Sequence, residues 1–162
     1  MAKTFKGIDV SQYQQNIDFK KVKAAGIDYV IIRAGFGKYA HQKDPYFEKN
    51  YKAAKAAGLK VGAYWYSYAA TVADAKAEAQ TCINAIKGKT FDLEERSQFA
   101  KGRAFCNSLV KTFCNALEHA GYWAGLYISR SPLQQYISAY VAKRYALWVA
   151  EYGSRCNYGG TY

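Results

Sequence analysis

The sequence predicts an α/β fold in which parallel strands alternate with helices, on two observations. Glycines 26, 58, 88 and 121 each follow a helical pattern ending in Ala or Lys and precede a β-rich run, at spacings of 32, 30 and 33 residues. A glycine just past a helix end supplies the left-handed cap, so each interval reads as one strand-plus-helix unit. Runs such as Tyr29-Val30-Ile31-Ile32 are apolar on both faces, which fits a parallel strand covered on both sides. Strict alternation then implies right-handed crossovers, with any chemistry at the carboxyl ends of the strands.

In chain order, strands are expected at Phe5–Ser11, Tyr29–Phe36, Val61–Tyr68, a short Thr90–Glu94, Trp123–Ser129 and Ala146–Tyr152. Helices are expected between them, at Asp18–Ala25, Pro45–Ala57, Val72–Lys87, Lys101–Ala120 and Leu133–Ile137. Asp18 before Phe19-Lys20-Lys21-Val22 reads as an N-cap. In Lys101–Ala120 the residues Phe105, Leu109, Val110, Phe113 and Leu117 recur at three- and four-residue steps, the core face of an amphipathic helix.

A chain of 162 residues suits one domain, expected over residues 1–162. No apolar run reaches the roughly 18 residues of a membrane span, and Met1-Ala2-Lys3-Thr4-Phe5 lacks the apolar core of a signal peptide. Two prolines, 13 glycines and 17% aromatic residues exclude disordered and collagen-like classes. The 23 Lys and Arg against 12 Asp and Glu leave a charge of +11, which favours a polyanionic partner: nucleic acid, an acidic membrane surface, or an anionic polymer such as a cell wall. The cations are dispersed, with Lys20-Lys21 and Lys23 densest, and read as a solvated basic face. No zinc-finger or RNA-recognition spacing supports a specific nucleic-acid partner. Cys82, Cys106, Cys114 and Cys156 form no C-x-x-C pair, and only His41 and His119 could assist them, so a metal site is not expected. The cysteines read as free buried thiols of a protein made in a reducing compartment.

Four strand ends carry chemistry. In Asp92-Leu93-Glu94 strand alternation puts both acids on one face. Adjacent carboxylates raise each other's proton affinity, so one can serve as a general acid while the other stays ionised, as in glycoside hydrolysis. Taken alone an Asp-x-Glu is weak evidence, because a solvated turn or a helix N-terminus explains it more often, and Glu95 reads as an ordinary helix-approach acid. Asp9 lies in an apolar strand, where either a satisfied buried carboxylate or a catalytic acid is consistent with the pattern. Arg33 can neutralise one of these acids. In Tyr64-Trp65-Tyr66-Ser67-Tyr68, Trp65 is expected in the core and Tyr64 and Tyr66 in a groove that stacks sugar rings, with Tyr127 and Trp148 compatible with the same groove.

Taken together, Lys6-Gly7-Ile8-Asp9-Val10-Ser11, Ile17-Asp18-Phe19-Lys20-Lys21-Val22-Lys23, Val30-Ile31-Ile32-Arg33-Ala34-Gly35, Val61-Gly62-Ala63-Tyr64-Trp65-Tyr66-Ser67-Tyr68, Asp92-Leu93-Glu94 and Leu147-Trp148-Val149-Ala150-Glu151-Tyr152 resemble glycoside hydrolase family 25. These are the lysozymes of phage endolysins and bacterial autolysins. The resemblance implies an irregular TIM-like β/α barrel of parallel strands that cleaves the β-1,4 bond between N-acetylmuramic acid and N-acetylglucosamine in peptidoglycan, without metal or organic cofactor. It makes Glu94 the general acid, Asp92 the partner of the substrate's N-acetyl group, and Asp9 an acidic wall, with Arg33, Tyr64, Tyr66, Tyr127 and Trp148 lining the glycan groove. It also implies a partner for the positive charge, the anionic polymers of the bacterial wall, and a protein made in a cytoplasm that acts on the wall. A closed eight-unit barrel takes roughly 250 residues. About six strands are visible, with few residues before Asp92 and none of the family's last strands, so a shortened lysozyme is expected. The alternative is a non-catalytic wall-binding module that keeps the groove.

Overall fold

The computed structural model describes residues 5–86, 90–92, 96–151 and 157–160, of which 90–92 and 96 as backbone only. Six strands, β1 (Gly7–Val10), β2 (Tyr29–Phe36), β3 (Lys60–Tyr66), β4 (Thr90–Asp92), β5 (Gly125–Ser129) and β6 (Ala146–Ala150), form one sheet in sequential order with every pairing parallel. Among the described residues β1 and β6 are its two edges, so the sheet is open and the expected barrel is not closed by them. Between the strands run α1 (Phe19–Ala24), α2 (Phe47–Ala56), α3 (Val72–Ile86), α4 (Arg96–Phe99), α5 (Gly102–His119), α6 (Arg130–Tyr136) and α7 (Ala139–Arg144).

Sequential order has a physical consequence: right-handed crossovers that all step in one direction deliver every helix to the same face of the sheet. Burial follows. Val30, Ile32 and Ala34 of β2 are fully buried, whereas Tyr29, Ile31 and Arg33 between them are only half-buried. The expected double coverage of β2 is therefore corrected to single coverage, because its second face looks into the cleft. On the covered side Ala63, Trp65, Leu126 and Ile128 meet Ala75, Ala79 and Cys82 of α3 and Leu109, Val110, Phe113, Cys114 and Leu117 of α5 in one core. The predicted periodicity of α5 is thus its packing face, although Phe105 is only partly buried.

Local signals are found largely where expected. The Asp18 carboxylate accepts from the Lys20 and Lys21 amides at 3.1 and 3.2 Å, capping α1. Gly26, Gly58 and Gly121 have φ of +83°, +75° and +85°, the left-handed geometry of the predicted repeat; Gly88 lies outside the described residues. Several elements differ from these expectations. The helix expected at Leu133–Ile137 starts earlier, at Arg130, and α7 follows it after a Ser138 cap, while α4 was not anticipated. β5 begins at Gly125 rather than Trp123, whose ring is 86% exposed. The strand expected at Thr90–Glu94 is described over Thr90–Asp92. Cys82, Cys106 and Cys114 are free and buried; Cys156 lies outside the described residues. Burial raises the Cys82 and Cys114 thiols well above their usual range, which makes them unreactive packing groups.

Candidate active site

On the face opposite the described helices a pocket opens, lined by Asp9, Ser11, Tyr13, Arg33, Tyr64, Tyr66, Tyr127 and Trp148. Its volume is about 190 Å³, below the roughly 300–1,000 Å³ of pockets that enclose a whole ligand, a size suited to one section of a longer chain. Strand register explains the gathering, because directly paired residues of a parallel sheet share a face. Arg33 pairs with Tyr64 across β2 and β3. One row further along, Tyr66, Asp92, Tyr127 and Trp148 stand in register across β3, β4, β5 and β6. The Asp92 backbone is thus flanked by two lining tyrosines; Glu94 lies outside the described residues.

Asp9 is exposed into the pocket rather than held as a buried carboxylate, so the structural alternative for it is corrected. The Tyr127 and Trp148 rings meet edge to face, with centroids 4.7 Å apart, and Tyr66 leans on Tyr68 at 5.0 Å. Such pairs fix ring orientation as well as burying area. Trp65 is fully buried on the opposite face, its indole N–H donating to Gly37 O at 2.9 Å. A register shift between Arg33 and Gly35 lets it approach: a Cβ at position 35 would sit 2.6 Å from the Trp65 ring.

The role of Arg33 also changes. Among the described residues it neutralises Asp44, with Nε donating to Oδ2 at 2.9 Å. Sequence reasoning missed Asp44, Ser11 and Tyr13. Asp44 lies just before the helix expected from Pro45 and accepts from the Tyr46 amide at 2.9 Å, and nothing in its local sequence marks it as a partner of Arg33. Ser11 and Tyr13 had a usable signal in their position directly after β1, at the carboxyl end of the strand.

Behind the β3 aromatics lies a buried polar cluster. Ser67 Oγ accepts from the Ala69 amide and Gln98 Nε2, each at 3.2 Å, and donates to Glu78 Oε2 at 2.6 Å. Glu78 Oε1 accepts from the Tyr68 amide at 2.9 Å. Burial raises the Glu78 carboxyl to about 7, against the pull of the Ser67 and Tyr68 hydrogen bonds. Gln98 also donates to Ala69 O at 3.1 Å, tying α4 to the loop after β3. Among the described residues no three His, Cys, Asp or Glu side chains come together as a metal site, and no helix is long and apolar enough to cross a membrane.

Fold and site together define a parallel α/β protein with an acidic, aromatic-walled cleft toward the carboxyl ends of sequentially ordered strands. Residues 8–159 match the family model of glycosyl hydrolases family 25, and the chain belongs to that family. The autolytic lysozyme of Clostridium acetobutylicum is 31% identical over 97% of this chain. The chain spans about half (48%) of that relative's length. Lysozyme M1 of Streptomyces globisporus is 41% identical over 61 residues, covering 38% of the chain and 20% of that protein. Among solved structures, a muramidase from Trichobolus zukalii superposes with a TM-score of 0.83 at 22% identity, covering 94% of this chain and 79% of that one. The modular autolysin LytC of Streptococcus pneumoniae, solved with a synthetic peptidoglycan ligand, superposes at 0.82 with 23% identity, covering 95% and 39%.

Proposed function

We propose that residues 1–162 are a single peptidoglycan hydrolase domain that cleaves the β-1,4 bond between N-acetylmuramic acid and N-acetylglucosamine. The observation that carries this reading is the convergence of Asp9, Arg33, Tyr64, Tyr66, Tyr127 and Trp148 on one pocket from five strands, with the Asp92 backbone in register between two of its tyrosines. Aromatic rings stack on the C–H faces of sugars, and carboxylates perform the acid–base steps of glycoside cleavage. Family membership and the lysozyme relatives support the same substrate.

In this mechanism Glu94 gives its proton to the glycosidic oxygen as the bond to the anomeric carbon breaks. The carbonyl oxygen of the substrate's own N-acetyl group attacks that carbon, oriented by Asp92. Water then opens the cyclic intermediate, its proton passing to Glu94. Asp9 adds negative potential beside the developing positive charge. The chemistry needs neither metal nor organic cofactor. The net charge of +11 draws the domain to the anionic polymers of the wall, where we place its action, and speeds encounter with an insoluble substrate. We read the open sheet of six sequential parallel strands as part of an irregular TIM-like β/α barrel, an arc that puts the cleft on its inner side.

The test is Glu94→Gln, which keeps the shape and removes the proton. It should reduce clearing of a turbid cell-wall suspension at least a hundredfold, with an unchanged circular dichroism spectrum; undiminished clearing overturns the assignment.

A further inference from the structure

One wall of the cleft is organised by a residue that does not line it. Asp44 is only 2% exposed. A carboxylate in such a place is stable only when fully hydrogen-bonded, and this one has three donors from three parts of the chain: the Gln12 amide after β1, Arg33 Nε on β2 and the Tyr46 amide before α2, each at 2.9 Å. Its own amide donates to Ala34 O at 2.8 Å, which fixes it against β2. Arg33 in turn carries the Tyr13 ring, whose centroid is 5.0 Å from the guanidinium carbon, with Phe36 at 5.7 Å. Cation–π contact of this kind holds a ring in place without burying it. Tyr13 is 75% exposed and lines the pocket. An aromatic face presented to water on a fixed cationic base is a surface made ready for a flat, weakly polar partner.

We infer that Asp44 is a positioning residue for substrate binding, setting the first turn after β1 and Arg33 together so that Tyr13 forms a stacking platform for a sugar ring at the rim of the cleft. This rests on the glycan-hydrolase reading above. The platform touches a sugar beyond the bond being cleaved, so it strengthens ground-state and transition-state binding alike, and its loss raises KM and spares kcat.

The probe is a soluble glycan strand prepared by removing the peptides from peptidoglycan, with kcat and KM read from released reducing ends. Tyr13→Ala should raise KM at least fivefold with kcat within twofold, and Tyr13→Trp should keep KM near that of the parent, a rescue that a purely structural role does not produce. Asp44→Asn should raise KM similarly, and the Tyr13→Ala, Asp44→Asn double variant should be no worse than the worse single variant, because one residue acts through the other. An unchanged KM in Tyr13→Ala, or multiplying effects in the double variant, overturns the proposal. Should Asp44→Asn fail to fold, the two Tyr13 variants decide it. Should the parent chain release no reducing ends, the hydrolase reading fails separately, and binding of the same strand, measured by intrinsic fluorescence, still tests the platform: weakening in Tyr13→Ala supports it, and equal affinity overturns it.

Discussion

Glu78 shows how a single buried group can set a property of the folded chain. It is 1% exposed, and burial moves its carboxyl from an ordinary 4.5 to about 7. Because the folded protein holds this proton more tightly than the unfolded chain, the associated stability is full below about pH 4.5 and is lost as pH rises through about 7. The loss amounts to about 3 kcal/mol. The melting temperature should therefore fall between about pH 4.5 and 7 and level off above, and Glu78→Gln, which has nothing to titrate, should flatten that slope; an equally steep slope in the variant contradicts the account. Glu78 also shows where sequence is silent. In Ala77-Glu78-Ala79 it reads as one more helical acid, and only the return of Ser67 and Tyr68 to the same place makes it a buried acceptor. Asp44 is hidden for the same reason, because its partners Gln12 and Arg33 are distant in sequence. Tyr64 and Tyr66 were legible because they flank Trp65 in one strand and so take the face opposite to it, and Arg33, Tyr127 and Trp148 only by their place toward the ends of strands.

Elements whose signals are local were read well from the chain. The cap at Asp18 and the glycines closing α1, α2 and α5 need no tertiary context. Replacing Asp18 by Ala should cost about 1 kcal/mol and lower the melting temperature by roughly 2–4 °C, with no effect on substrate turnover, since α1 lies away from the pocket residues; a larger loss would mean that the cap supports more than its own helix. Short helices were harder. α4 has four residues and α7 six, and neither spans enough turns to show a periodic apolar face. The apolar pattern of β2 was misread as double coverage because Tyr29 and Ile31 line a partly open face, which sequence cannot distinguish from a second layer of helices.

For the whole molecule, sequential strand order is the property from which the others follow. It places the described helices on one side and leaves the other to Asp9, the aromatic residues and Arg33. Lys49, Lys52 and Lys55 project from the exposed face of α2, so much of the positive charge is spread over solvated helices, away from the cleft. Such a distribution serves general attraction to an anionic surface, while specificity stays with the pocket. The most direct test of the central claim is the identity of the new chain end. Purified cell walls treated with the protein, reduced with borohydride and hydrolysed should yield reduced muramic acid. Reduced glucosamine in its place, or no reduced sugar above the untreated control, would contradict the account.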